Sequence, residues 1–163
     1  MKLLVTGGAG YVGSHTVRAL LEAGHDVTIL DNLSTGHCWA LQDCELMSVD
    51  LRDAVHLNQQ LKGRRFDGVL HFAAKSLVGE SKSNPILYYQ NNVTGTANLV
   101  NAMLKAGIPR LVFSSTAAIF GNPKRDLIDE KHPQAPINVY GQTKLTVENM
   151  LEAVTKSAGF SAT

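Results

Sequence analysis

The sequence predicts an α/β fold built on a doubly wound parallel sheet, and three observations predict it. Short apolar runs alternate with amphipathic helical stretches along the chain. The runs, such as Leu3-Leu4-Val5 and Val27 to Leu30, are nearly continuous rather than alternating, as strands buried on both faces are. Gly7, Gly10 and Gly13 follow the first run and open the first helix, within the length of one strand-helix-strand unit. Right-handed crossovers then put helices on both faces and ligands at the carboxyl ends of the strands.

Lys2 to Thr6 reads as a buried strand, ended by Gly7 and Gly8. Val12 to Ala23 has helical spacing, with Val12, Thr16, Ala19, Leu20 and Ala23 available for one face, and Gly24 ends it. Val27 to Leu30 is a second strand and Glu45 to Val49 a weaker third. Asp53 to Leu61 is a helix with Asp53 as its N-cap. Gly68 to Phe72 is the fourth strand. Asn84-Pro85 opens a long helix to Ala106, stopped by Gly107. Arg110 to Ser115 is the fifth strand. Residues 121–139 hold Pro123, Pro133 and Pro136 and read as a loop. Val139 or Tyr140 to Ala158 is the last helix, and Phe160 and Ala162 alternate as a sixth strand would.

Composition narrows the function classes. The 163 residues are 44% hydrophobic and 18% charged, the balance of an ordinary globular chain and enough for one domain with its own core. Fifteen basic residues against fourteen acidic ones leave a net charge of +1, so no electrostatic case exists for a nucleic-acid partner. No apolar run approaches a membrane span, and Leu3 to Val5 is too short for a secretory signal. Two cysteines without such a signal favour a reducing, cytoplasmic setting. Cys38 and Cys44, with His37 nearby, have poor spacing for zinc and read as free thiols, so no metal site is expected. Trp39 reads as packing in that loop, His15 as a surface residue, and His71 as satisfying buried backbone groups.

The glycine spacing has a mechanical meaning. The first glycine permits a tight turn, the second lets the backbone approach a pyrophosphate, and the third lets helix pack on strand. The helix N-terminus then offers free N–H groups and a positive dipole end to phosphate. Asp31 ends the second strand, where a carboxylate accepts hydrogen bonds from an adenine-ribose diol; a turn carboxylate is the bland alternative. No Lys or Arg occurs between residues 19 and 51, so a 2′-phosphate would meet a carboxylate without a cation, which favours NAD over NADP. Asp50 and Leu51 end the third strand where the adenine edge should lie, although Asp50 also reads as a turn residue before Arg52.

Tyr140 and Lys144 stand four apart on the last helix. An ammonium nearby favours tyrosinate and makes the phenol a useful general base. Alone, such a pair also describes an exposed helical accident. Ser114-Ser115-Thr116 at the end of the fifth strand adds hydroxyls that can share a substrate hydroxyl with the tyrosine.

Gly7-Gly8-Ala9-Gly10-Tyr11-Val12-Gly13, His71-Phe72-Ala73-Ala74, Val78-Gly79-Glu80-Ser81, Tyr88 to Val93 and Tyr140-x-x-x-Lys144 together resemble the extended short-chain dehydrogenase/reductase superfamily, and within it the UDP-glucose 4-epimerase family. The resemblance runs from residue 1 to about residue 160. It implies a Rossmann-type fold in which Thr116 and Tyr140 are the catalytic hydroxyl pair and Lys144 binds the nicotinamide ribose. It implies that Gly7, Gly10, Tyr11, Val12, Gly13, Asp31, Asn32, Asp50, Leu51, Phe72, Ala73, Ala74, Asn92 and Ser114 line an NAD site with Tyr140 and Lys144. The implied reaction interconverts UDP-glucose and UDP-galactose by oxidation at C4, turnover of the 4-keto sugar and return of the hydride. The implied assembly is a homodimer through the helices at 85–106 and 140–158.

The sequence departs from the family in places. Lys75 stands one position before the expected lysine, where Ser76 is found; Thr116 replaces the commoner Ser, and Phe120 a common Tyr. Ala117-Ala118 follow Thr116 in place of the acid-base pair of dehydratase relatives. Relatives continue into a C-terminal substrate domain, so the chain is expected to correspond to an N-terminal portion that lacks it. Two alternatives stay open: a non-catalytic dinucleotide-binding module, and an extended-family enzyme for another nucleotide-sugar.

Overall fold

A computed structural model describes all of residues 1–163. Six strands form one parallel sheet: β1 (Lys2–Thr6), β2 (Asp26–Asp31), β3 (Glu45–Ser48), β4 (Gly68–His71), β5 (Arg110–Phe113) and β6 (Ser161–Ala162). Their spatial order is β3-β2-β1-β4-β5-β6, so the winding reverses between β1 and β4. Thr6 is in register with Leu30 on one side and His71 on the other, which brings the carboxyl ends of the three central strands to one rim. Strands β4 and β5 end slightly earlier than their apolar runs suggest, yet the ladder goes on. Phe72 N–H still donates to Thr6 O at 2.9 Å, and Ser114 N–H to His71 O at 3.1 Å.

Successive strand residues point to opposite faces, and both faces are covered. Leu4 and Leu30 enter the larger core, with Leu57 and Leu61 of α2 (Ala54–Leu61), Leu99 and Met103 of α5 (Gly95–Ala106), and Val147 and Leu151 of α6 (Val139–Ala158). Val5 and Ile29 face the other way, onto Val17 of α1 (Tyr11–Glu22). Asp53 caps α2 by accepting from His56 N–H at 3.0 Å, and Asn138 caps α6 by accepting from Gly141 N–H at 2.8 Å. No helix is long and apolar enough to cross a membrane.

Two expectations need correction, on the face of α1 and on the long helix, and one further helix appears. The buried face of α1 is Gly13 and Val17, whereas Val12 is 55% exposed, because the first turn of α1 lies over the rim rather than the core. A short helix, α3 (Val78–Ser83), stands between β4 and the long helix, where the sequence assigns no element. The long helix is not uniform: α4 (Pro85–Tyr88) passes into a π-helical segment, Tyr89–Thr94, before α5. Trp39 packs within its loop by stacking on His37, and stays 81% exposed.

Candidate active site

The glycine loop occupies the reversal point. Gly7 adopts φ +70, and a Cβ there would lie 2.5 Å from the amide nitrogen of Ala73. Only glycine lets the exits of β1 and β4 abut so closely. A Cβ on Gly13 would collide with the carbonyl of Gly7, so α1 packs on the loop itself as well as on the strand. Gly10 caps α1 without a side-chain bond, and no acidic residue stands in its first turn. The N-terminal N–H groups and their positive dipole end are thus unneutralised toward the cavity.

Asp31 is buried at the end of β2. Its Oδ2 accepts from Ala9 N–H at 3.1 Å and its Oδ1 from Leu33 N–H at 2.8 Å, which ties the glycine loop to the turn after β2. The turn role therefore holds, and each oxygen retains a lone pair for a further donor. Asp50 also serves its own turn. Arg52 grips it at 2.7 Å and Asn32 donates to it at 3.0 Å, and the Arg52 side chain holds its carboxyl well below the usual range. Arg52 is the first cation after the stretch without Lys or Arg, and Asp50 already neutralises it.

At the other end Lys144 is buried against β5. Its Nζ donates to Ser114 O at 2.6 Å and lies 4.5 Å above the Phe113 ring. Burial pushes its pKa down to about 8, with Glu148 opposing weakly. Tyr140, one helical turn earlier, lines the same space as Lys144. Thr116 caps the turn Ala117–Phe120, its Oγ1 accepting from Ala118 N–H at 3.1 Å. Its hydroxyl proton is left free to donate.

One cavity of about 410 Å³ spans these features, within the range of small-molecule sites. Gly7, Gly10, Tyr11, Val12, Gly13, Asp31, Asn32, Asp50, Leu51, Phe72, Ala73, Ala74, Ser114, Tyr140 and Lys144 all line it. Two expected members do not. Thr116 lies beyond the lining, and Asn92 is turned away from it, with Asn91 on the wall instead. The Asn92 side chain is 2.8 Å from Lys75 N and 2.9 Å from Lys75 O, so it grips the cavity loop from behind. His71 is corrected too: it bonds the hydroxyls of Thr6 and Thr96, not backbone groups, and burial pushes its pKa down to about 3.

The lining also holds residues that were not anticipated there. Ser34 and Thr35 follow Asp31 on the same turn. Both Lys75 and Ser76 reach the wall, and Glu80 enters it from α3. Lys75 Nζ lies 4.0 Å from Glu80, whose other oxygen accepts from the buried Tyr88 hydroxyl at 2.8 Å. The glutamate was hidden because six residues of polar helix carry no readable apolar period.

A phosphate-ready glycine loop and a buried carboxylate thus stand at one end of the cavity, and a tyrosine-lysine pair at the other. Residues 3–163 match the NAD dependent epimerase/dehydratase family, and the chain belongs to it. A UDP-glucose 4-epimerase of Halalkalibacterium halodurans is 51% identical over 92% of this chain and 45% of its own length. One from Corynebacterium glutamicum is 48% identical over 100% of this chain and 49% of its own. The chain spans about half the length of the curated relatives it matches. Among solved structures, the Brucella ovis UDP-glucose 4-epimerase in complex with NAD superposes with a TM-score of 0.95 at 40% identity, covering 99% of this chain and 50% of that one. The Bifidobacterium longum enzyme, in complex with NAD+ and UDP, gives 0.93 at 32% identity, covering 99% and 51%.

Proposed function

We propose that this chain holds NAD and carries the C4 oxidation-reduction chemistry by which UDP-glucose and UDP-galactose interconvert. The observation that carries the reading is the single cavity in which the glycine loop and Asp31 face Tyr140 and Lys144. The crevice at Gly7, which a Cβ would fill, fits a pyrophosphate pressed against backbone. The carboxylate of Asp31 would accept from the adenine ribose, and Lys144 would donate to the nicotinamide ribose. When bound, NAD supplies the hydride acceptor and donor, and is regenerated within one turnover.

The chain's own residues handle the proton. Tyr140 takes it from the sugar C4 hydroxyl, and the nearby Lys144 ammonium favours the tyrosinate that this requires. Thr116 donates its free hydroxyl proton toward the same sugar oxygen. The 4-keto sugar then presents its other face, and Tyr140 returns the proton to the same C4 oxygen. A cytoplasmic setting accompanies this reading, since Cys38 and Cys44 are both free thiols. Self-association through the helices at 85–106 and 140–158 also belongs to it; Ile86 and Leu104 there are 67% and 40% exposed.

The test is a chimera of these 163 residues with the remaining half of the Corynebacterium glutamicum relative. It should convert UDP-galactose to UDP-glucose, and Tyr140→Phe should lower turnover at least about a hundredfold while keeping NAD. Near-normal turnover in Tyr140→Phe would assign the base elsewhere.

A further inference from the structure

His71 sits between the two halves of the cavity yet touches neither. It is 1% exposed and lies outside the cavity wall. One of its ring nitrogens, Nδ1, is 2.5 Å from Thr6 Oγ1, on the residue that precedes Gly7. The other, Nε2, is 2.8 Å from Thr96 Oγ1. The direction of each bond follows from its neighbours. The Thr96 hydroxyl proton is spent on the Asn92 carbonyl at 2.5 Å, so Thr96 can only accept from His71. The ring therefore carries its proton on Nε2, and Nδ1 accepts from Thr6. Burial, and the Lys144 ammonium across the Phe113 ring, keep the imidazole neutral.

The chain of bonds goes on through Asn92. Its amide Nδ2 donates to Lys75 O at 2.9 Å and to Thr143 Oγ1 at 3.1 Å, while its Oδ1 accepts from Lys75 N–H and from Asn91 Nδ2. Both amide protons and both acceptor sites are thus used. Thr143 passes its own proton to Tyr140 O at 2.7 Å. Asn92 and its immediate neighbours form the π-helical segment, a local distortion that is often found at functional sites.

We propose that His71 is a positioning residue: its ring, held by Thr6 and Thr96, locks β1 to the π-helical segment and thereby sets the gap between the glycine loop and the helix that bears Tyr140 and Lys144. No other buried side chain links these elements in one directed series of hydrogen bonds. The proposal rests on the reading that this cavity holds NAD, because the gap matters to a ligand that spans it.

Two measurements on the 163-residue chain test it. The first is NAD affinity by calorimetry, well below the melting temperature. His71→Asn keeps an acceptor for Thr6 but loses the donor to Thr96, and Thr96→Val removes the acceptor while keeping the imidazole. Each should weaken NAD about tenfold, and the double variant should lose no more than either alone, the mark of one coupled series. His71→Gln carries an amide donor to the place of Nε2 but leaves Thr6 without its acceptor, so it too should weaken NAD by about tenfold, because the series needs both of its bonds. Wild-type affinity in folded Thr96→Val, or additive losses in the double variant, would overturn the proposal.

The second measurement reads the imidazole nitrogens by NMR without any ligand. A neutral ring protonated on Nε2 is expected in wild type, and a loss of that single tautomer in Thr96→Val. A ring protonated on Nδ1 would contradict the bond series outright. Should wild type bind no NAD at all, the reading of the cavity fails, and the tautomer still decides whether the series exists.

Discussion

Lys144 is charged and buried, and those two conditions conflict. Burial lowers its pKa to about 8 from 10.5, so the folded chain releases this proton before the unfolded chain does. The sign follows directly. Between about pH 8 and 10.5 the unfolded state binds more protons, so this group's contribution to stability rises with pH. Below pH 8 the fold carries the cost of a buried ammonium, relieved in part by Ser114 O and the Phe113 ring. The unfolding free energy of wild type should therefore climb relative to Lys144→Met across that window, by up to about 3 kcal/mol. Denaturant titrations of both proteins at several pH values measure it, and a constant difference would refute the burial argument. The other residues of the site were unequally legible. Asp31 and Tyr140 could be placed because strand ends and helical spacing fix them. Asn92 could not, because its direction is set by the π-helical segment, which has no signature of spacing.

At the scale of elements, the strands were legible because each is a compact apolar run that both faces of the sheet bury. Helix stops at Gly24 and Gly107 were legible too: both glycines take positive φ, where side chains are strained. What stayed hidden was any helix whose form is imposed by tertiary contacts. Helix α3 holds its last turns through Asn84 N–H to Glu80 O at 2.9 Å and hangs on the Tyr88 hydroxyl, with little propensity of its own. The apolar face of α1 was misjudged because Val12 serves the cavity and not the core. By contrast α5 is an unambiguous core helix, with Leu99 fully buried against the larger cluster. Leu99→Ala should lower the unfolding free energy by about 3 kcal/mol through lost burial and the cavity left behind. A loss below about 1 kcal/mol in chemical denaturation would mean that this face of the sheet packs loosely.

The whole molecule is organised around the reversal between β1 and β4. Parallel strands end at one rim, the glycine loop and Asp31 stand on one side of the reversal, and β5 with α6 brings Lys144 and Tyr140 to the other. Such a topology accounts for residues far apart in the chain sharing one cavity. It also makes a discrimination on cofactor. The adenosine end offers the buried Asp31 carboxylate, while the first cation after it in the sequence, Arg52, is neutralised by Asp50 at 2.7 Å. A 2′-phosphate would meet repulsion without compensation. Calorimetric titration of the chain with NAD and with NADP is the most direct measurement of this. NAD should bind at least about tenfold more tightly, a difference of about 1.4 kcal/mol. Equal affinities, or no heat with NAD, would contradict the assignment of this cavity.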